Sequence, residues 1–288
     1  MSLVEDRAPA PPPGDAELTG PSALGDDARR FANLTWTLAS TDFRLKFFGS
    51  ALGYLWQLMR PLLLFGIIYL VFAEFVRLGD EVRFYPVVLL SGVILFTFYS
   101  EATGTAVTSV QDREGLLRKI RFPRLVIPTA SVLTAVFNLA LNLVVVLVFM
   151  LASGVEPHGS WIQAPLLIGV LIVLAQGLAM LVSALYVRYR DIKPIWDVVL
   201  QMTFYATPLL YPIETVSNET AQKLLMLNPL AAIVQQWRHA VIDPTAPSTV
   251  DVMGGYVLLA IPAVLAVVLV VAGFLAFQRG APTMAERL

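Results

Sequence analysis

Long apolar stretches fill the second half of the sequence and predict a helical membrane protein. Three of them carry no charged residue and cover residues 125–155, 161–187 and 252–278. Each is longer than the ~20 residues with which an α-helix crosses the hydrocarbon core of a bilayer. Each therefore predicts one transmembrane helix.

Three further stretches predict transmembrane helices with a defect. Residues 61–76 contain Glu74 and extend backward if the side chain of Arg60 reaches the lipid headgroups. Residues 84–111 are long enough but contain Glu101. Residues 198–213 are shorter and end in "TPLLYP", where two prolines remove backbone donors, so this helix should break near the opposite interface. The total is an all-α fold with six transmembrane helices.

The apolar run between Lys223 and Arg238 is too short for a seventh helix across the membrane. It has fourteen residues, and runs of about 10–14 residues are typical of re-entrant or interfacial segments. We therefore predict that residues 212–244 form short external helices that cap or gate the bundle. An ordinary external loop is the alternative.

Positive charge predicts the orientation of the bundle. Of the twenty Lys and Arg residues, sixteen fall on one side of the six helices, and four, Arg77, Arg83, Lys223 and Arg238, fall on the other. Cytoplasmic loops carry the excess of Lys and Arg, so the first side, with both termini, is predicted to be cytoplasmic. The 57% hydrophobic content and the mean hydropathy of +0.71 agree with a membrane protein, since soluble domains have about 45–50% apolar residues.

The remaining segments complete the predicted organisation. Residues 1–28 are rich in Pro, Gly and acidic residues and predict a disordered cytoplasmic tail. Residues 29–50 place apolar side chains at helical spacing between charged ones, which predicts an amphipathic helix in the cytoplasmic interface. Residues 51–279 hold the six-helix domain, and residues 280–288 form a second cytoplasmic tail. The chain has no Cys, which excludes disulfides and thiolate metal sites.

A cytoplasmic loop, residues 111–125, concentrates positive charge. Five of the chain's twenty cations lie within twelve residues of it, and "GLLRKI" is helical in character before "FPRLVIP" forces extended backbone ahead of each proline. A short helix between two long ones offers a surface to a protein partner. The alternative is a loop that only satisfies the charge bias and touches anionic lipid.

Four motifs occur in a fixed order along the chain. They are "DFRLKFFGSALGYLWQLMRPLLL", "LLRKIRFPRLVIP", "VRYRDIKPIW", and "TPLLYPIETV" followed by "LNPLAAIVQQWR". Together they resemble the transmembrane subunits of ABC-2 type polysaccharide exporters. This resemblance implies a bacterial inner (plasma) membrane permease that pairs as a homodimer, binds two copies of a separate ABC ATPase, and moves polyprenyl-diphosphate-linked O-antigen, teichoic acid, capsule or galactan chains.

The resemblance also implies a coupling helix that docks on the ATPase between the second and third transmembrane helices. The residues implied are Arg113, Leu116, Leu117, Arg118, Lys119, Arg121 and Phe122. The sequence independently lacks any Gly-Lys dipeptide, so the phosphate-binding motif G-x-x-x-x-G-K-[ST] does not occur in it. We therefore predict no enzymatic activity, cofactor or metal in this chain, with ATP and Mg²⁺ on the partner ATPase, and no nucleic-acid partner.

Several side chains are candidates for the transport path. A carboxylate deep in a bilayer costs ~2.5–3.5 kcal/mol, so Glu101 should face protein or water, either in the pore or gate or as a hydrogen-bonded structural residue. Asn138, Asn142, Gln176 and Gln201 are expected to hydrogen-bond between helices, with a sugar path as the alternative. The aromatic pore or gate candidates, which can equally form an interfacial belt, are Phe72, Phe75, Tyr85, Phe204, Tyr205 and Tyr211.

Three cations near the predicted inner entrance, Arg44, Lys46 and Arg60, are candidates for binding a lipid diphosphate. Alternatively, they only orient the chain in the membrane. The competing functions are an ABC-2 exporter of a drug or lipid, a secondary transporter and an intramembrane enzyme. The enzyme is disfavoured because His158 and His239 lie on the predicted external side without an acidic cluster at metal-binding spacing.

Overall fold

A computed structural model describes residues 28–47, 53–75, 82–119 and 122–281, and within these ranges the chain is helical without β-strands. The helices are α1 Ala28–Phe47, α2 Gly53–Tyr69, α3 Tyr85–Asp112, α4 Glu114–Lys119, α5 Val126–Ala152, α6 Gln163–Arg188, α7 Ile192–Ala206, α8 Glu219–Met226, α9 Pro229–Trp237, α10 Thr249–Met253 and α11 Tyr256–Gly280. Turns of π-helix, Leu70–Phe75 and Arg238–Ile242, follow α2 and α9. The two predicted tails lie almost wholly outside the described residues.

Helix α3 is the centre of the bundle. It packs against α5 and α6 along its length, while α2 and α7 contact it from its remaining side. Its apolar residues surround the helix, as expected for a helix buried between neighbours, and Leu89, Leu90 and Leu95 are fully buried. The helices thus enclose one core, which α3, α5 and α6 share.

Helices α6 and α11 touch through their backbones. A methyl group placed at Gly177 would lie 2.6 Å from the Cα of Val270, and one placed at Gly273 would meet the carbonyl group of Gly177. Small residues allow this close approach, which is the main source of attraction between helices in lipid, where burial of apolar surface contributes little. Gly177 and Gly273 therefore hold α11 on the bundle.

The two ends of the bundle differ in charge. We call the end formed by residues 111–119, 122–125 and 188–192 the basic end. The opposite end, formed by Tyr85, residues 153–162 and α8 to α10, is the far end. Helix α1 starts at the basic end and packs lengthwise on α5. There Thr134 Oγ1, which donates to the Ala130 carbonyl over 2.9 Å, also lies 3.3 Å from the Ala39 carbonyl oxygen, and Trp36 contacts Phe137 edge-on. Helix α1 thus reaches about three turns along α5.

Five helical stretches among the described residues are long and apolar enough to cross a membrane: residues 55–73, 85–112, 126–152, 159–188 and 256–280. Helix α7 has 15 residues, about 22 Å, which is shorter than the ~30 Å hydrocarbon core. The count of six transmembrane helices and the membrane orientation therefore stay predictions.

Helix α7 nevertheless follows α3 in the antiparallel direction from one end of the bundle to the other. Arg190 donates to Gln111 at the basic end, and Trp196 Nε1 donates to Thr103 Oγ1 over 3.2 Å. At the far end the Tyr85 hydroxyl donates to the Leu210 carbonyl over 2.8 Å. Residues 207–212, which are not helical, complete this path. The predicted break at "TPLLYP" is therefore confirmed, although the helix begins six residues earlier than the predicted residue 198.

The far end is closed by short helices with side-chain caps. Asn218 caps α8 and Asn228 caps α9, and Asn228 Nδ2 also donates to Thr207 Oγ1 over 3.2 Å. Ser248 and Asp251 form a reciprocal capping box at α10. The hydrogen bonds from the Ser248 side chain and backbone lower the pKa of Asp251. The bond from Asn228 to Thr207 joins these short helices to the end of α7.

Candidate functional site

Helices α2, α3 and α7 surround a cleft of about 920 Å³ that is lined by polar, charged and aromatic side chains. Each helix contributes residues three or four positions apart, which lie on one helical face. The lining residues are Gly53, Trp56, Gln57, Arg60, Pro61 and Leu64 of α2, Phe96, Thr97, Ser100, Glu101, Gly104 and Thr105 of α3, Lys193, Asp197, Leu200, Gln201, Phe204 and Tyr205 of α7, and Lys46 of α1.

Glu101 joins three helices at this cleft. Lys46 Nζ of α1 lies 2.6 Å from Glu101 Oε1, and Asn138 Nδ2 of α5 donates to the same oxygen over 2.7 Å. The Glu101 side chain is 17% exposed, so its charge is balanced by the ammonium group and solvated by the amide rather than by lipid. This agrees with the expectation that Glu101 faces protein or water, and the interhelical hydrogen bond predicted for Asn138 is confirmed.

Thr97, Glu101 and Thr105 form a polar stripe on α3 that faces the cleft. Thr97 Oγ1 donates to the Val93 carbonyl and Thr105 Oγ1 to the Glu101 carbonyl, each over 2.7 Å. Because each hydroxyl proton is used within the helix, the stripe presents hydroxyl oxygens to the cleft without unsatisfied donors. Ser100 and Gly104 complete this face.

The lining changes character from the basic end to the far end. On α7, Lys193 Nζ pairs with Asp197 Oδ1 at 2.6 Å near the basic end. Farther along, the ring of Phe204 contacts the rings of Phe96 and Tyr205 edge-on, at centroid distances of 4.9 and 5.3 Å. The cleft can therefore bind anionic groups in its basic half and offers flat apolar rings in its far half.

The predicted coupling loop contains a short helix, α4, directly after α3. Arg113, between the two helices, forms an ion pair with Asp42 of α1. Leu116 and the buried Phe122 pack into an apolar cluster at the basic end that includes Val126 and Phe277. This cluster connects the loop to α5, α6 and α11. Leu117, Arg118 and Lys119 lie on α4 but their side chains are outside the described part of the structure, as is Arg121.

Residues 33–242 match the sequence profile of the family described as ABC-2 type transporter. The chain belongs to the ABC-2 type transporter family. It is 28% identical to the O-antigen export system permease protein RfbA of Myxococcus xanthus, over 78% of this chain and 86% of that protein. It is also 26% identical to the protein of the same name from Klebsiella pneumoniae, over 74% and 82%, and 24% identical to the polysialic acid transport protein KpsM of Escherichia coli, over 70% and 78%.

The ABC-2 fold brings together some of the predicted site residues and separates others. Glu101, Phe204 and Tyr205 line the cleft, as do Lys46 and Arg60. Arg44 is exposed on α1 outside this lining. Three predicted aromatics pack into the core instead, namely Phe72, Tyr85 and Tyr211. The side chain of Phe75 lies outside the described residues.

Several cleft residues of this ABC-2 chain were not predicted from its sequence. Lys193 and Asp197 precede residue 198, where the apolar run begins, yet both belong to α7 and line the cleft. The sequence does contain a signal for the α3 face. Thr97, Glu101 and Thr105 recur every fourth residue of the predicted helix, which places them on one side.

Proposed function

We propose that this chain is the channel-forming permease subunit of an ATP-driven exporter. Its cargo is a polysaccharide linked to a polyprenyl diphosphate, which it moves from the cytoplasmic to the outer face of the bacterial inner membrane. The names of the relatives, O-antigen export and polysialic acid transport, support polysaccharide as the cargo. The observation that carries the proposal is the cleft, whose cations and aromatic rings suit the two halves of such a substrate.

The charged headgroup and the sugar chain need different surfaces. A diphosphate binds to cations, so Lys46 and Arg60 are its candidate partners in the cleft. A moving polymer needs contacts that are weak and alike along its length, because strong and specific hydrogen bonds would trap it. The rings of Trp56, Phe204 and Tyr205 provide such contacts for the apolar faces of sugar rings.

The energy for transport comes from a separate ATPase, since this sequence contains no Gly-Lys dipeptide with which to build a phosphate-binding loop. We assign α4 and its flanking residues to ATPase docking. Its contacts support this role, because Leu116 and Phe122 connect the segment to the core of the bundle and Arg113 connects it to α1. A push on α4 is thereby passed to α3, which lines the cleft, and to α1, α5, α6 and α11, which pack around the basic end.

A second copy of the chain would complete the path. Along α7, Val198, Met202 and Tyr205 are more than half exposed, and on α2 Ile67 is 65% exposed. These faces flank the cleft, which supports a homodimer with the cleft at its centre and two ATPase subunits. The chain lacks Cys, so a single Tyr205→Cys substitution should yield a disulfide-linked dimer on oxidation. Val264→Cys on α11 is the control, and equal cross-linking of both variants would contradict this assembly.

Export in cells tests the function directly. Loss of the chain should abolish surface polysaccharide and leave lipid-linked polymer inside the cell. Replacing both Lys46 and Arg60 with Gln should lower export by about tenfold or more, the factor expected for losing charge-assisted hydrogen bonds. Arg83→Gln, an exposed far-end cation, is the matched control. Export that continues without the ATPase but stops when the proton gradient is removed would overturn the proposal in favour of a secondary transporter.

A further inference from the structure

The ion pair between Lys46 and Glu101 lines the cleft and has a third member, Asn138. Both the ammonium nitrogen and the amide nitrogen contact the same carboxylate oxygen, at 2.6 and 2.7 Å. We propose that Glu101 is an internal competitor for Lys46: a phosphate oxyanion that enters the cleft replaces the carboxylate, and Asn138 retains Glu101 after the exchange. The inference rests on the proposed function, because it takes a phosphate-bearing lipid headgroup as the ligand.

The two partners differ in exposure and in freedom to move. The Lys46 side chain is 38% exposed and that of Glu101 is 17% exposed. Lys46 stands one residue before the end of α1 and has a flexible four-carbon stem. Glu101 lies in the middle of α3 and keeps its bond to Asn138 of α5. The lysine can therefore turn toward a ligand while the carboxylate stays in place.

The charges of the lining favour an anion with more than one charge. The two carboxylates, Glu101 and Asp197, are each paired with a lysine, and Arg60 adds a further positive charge to the same surface. A singly charged lipid headgroup offers Lys46 no more charge than Glu101 already does. A diphosphate that joins a lipid to a sugar carries about −1 on each phosphate, about −2 in total, and gains from both Lys46 and Arg60. Glu101 thus keeps abundant anionic lipids away from Lys46 and yields to a diphosphate.

Acylation of Lys46, followed by mass spectrometry, measures the exchange. The chain has four lysines, and Lys223 at the far end serves as the internal reference. The protein is placed in phosphatidylcholine vesicles that contain increasing fractions of undecaprenyl diphosphate. We expect Lys46 to become protected, with half-protection at a roughly three- to fivefold lower fraction in Glu101→Gln, the factor for loss of a partly exposed ion pair.

Three further arms make the result decisive. Asp197→Asn removes the other carboxylate of the cleft and should leave half-protection of Lys46 within about twofold of wild type, since it contacts Lys193 instead. Glu101→Asp keeps the charge but shortens the side chain, and it should fall between wild type and Glu101→Gln. Phosphatidylglycerol vesicles without undecaprenyl diphosphate should protect Lys46 in Glu101→Gln and not in wild type.

The outcomes separate this inference from the proposed function. Equal half-protection in wild type and Glu101→Gln would overturn the exchange and leave the function standing. Equal effects of Glu101→Gln and Asp197→Asn would also overturn it, because general charge would then explain the gain. Protection of wild-type Lys46 by phosphatidylglycerol alone would assign the site to a lipid headgroup. If undecaprenyl diphosphate protects Lys46 in neither protein, the lipid-linked substrate of the proposed function fails as well.

Discussion

The contact between α6 and α11 gives a prediction whose size follows from the structure. In Gly177→Ala the new Cβ would lie 2.6 Å from the Cα of Val270 and 2.8 Å from its Cγ2. Carbon atoms in contact are normally about 3.5–4.0 Å apart, so the helices must separate by about 1 Å. The Cγ2 atom can rotate away, but the Cα atom cannot, and the strain has to be relieved by moving a whole helix.

Overpacking of a core costs about 1–3 kcal/mol, and a clash with backbone belongs to the upper part of this range. A loss of about 2–3 kcal/mol should lower the melting temperature by about 4–12 °C for a domain of this size. The measurement is a thermal melt of the detergent-solubilised protein, followed by the size-exclusion peak that remains after heating.

Gly169→Ala is the matched control for this substitution. Gly169 lies on the same helix, two turns away, and a Cβ there meets no atom within 4 Å. This change should be neutral or slightly stabilising, because alanine favours the helix. If Gly177→Ala melts within a degree or so of Gly169→Ala, the inferred backbone contact between α6 and α11 is refuted.

Three other predictions concern the two ends of the bundle. Tyr85→Phe removes the donor to the Leu210 carbonyl, which should cost about 1–3 kcal/mol and lower the melting temperature. Arg113→Ala removes the ion pair with Asp42. It should clearly reduce ATP-driven export in an export assay while lowering the melting temperature only slightly in a thermal melt. The pKa of Asp251 is lowered by the hydrogen bonds that it accepts from Ser248. The stabilisation of α10 by this cap is therefore fully present above the usual aspartate pKa, and it is lost as the pH falls through the lowered pKa of Asp251. Hydrogen exchange of the α10 amides, corrected for intrinsic rates, should show protection that is lost on acidification.

Each of these has a control and a contradicting result. Tyr256→Phe alters an exposed tyrosine and should leave the melt unchanged, so equal shifts in both variants would contradict the role of the Tyr85 hydroxyl. Arg83→Ala removes a cation at the far end, and an equal loss of export there would contradict the role of Arg113. Ser248→Ala removes only the hydroxyl bond and should reduce the acid dependence of α10, whereas Asp251→Asn should abolish it. Persistence of the acid dependence in Asp251→Asn would exclude the capping box as the cause.

The long apolar helices were predictable because the thickness of a bilayer fixes their length. Residues 125–155, 161–187 and 252–278 became α5, α6 and α11 with ends shifted by a few residues. Helix α3 matched residues 84–111 although it contains Glu101, since its neighbours balance that charge. The periodicity of residues 29–50 likewise gave α1, which ends at Phe47 in the described part of the chain.

Helix α7 shows where hydropathy alone fails. Its first turns carry Lys193 and Asp197, so the apolar run begins at residue 198 while the helix begins at Ile192. A polar helical face in a membrane protein is hidden from a hydropathy argument when it lines a cleft. The helix stops at Ala206, directly before "TPLLYP", as the prolines predicted.

The partners within the site could not be predicted, because a sequence does not state which helix faces meet. Lys46 and Glu101 are 55 positions apart, and Glu101 and Asn138 are 37 apart. Each is a candidate from the sequence alone, yet their association depends on the packing of α1, α3 and α5. For Tyr85, by contrast, the sequence predicted a role in the pore that its position in the structure does not support. Its ring packs in the core and its hydroxyl donates to the Leu210 carbonyl.

The non-helical residues 207–212 determine where the far end tolerates an insertion. Donors from Tyr85 and Asn228 reach this segment, so an epitope tag placed within it would separate these partners and leave buried polar groups without hydrogen bonds. Residues 156–159 lie outside any long helix, and three of the four are exposed. A tag inserted in that turn can therefore report on which side of the membrane the far end lies without disturbing the fold.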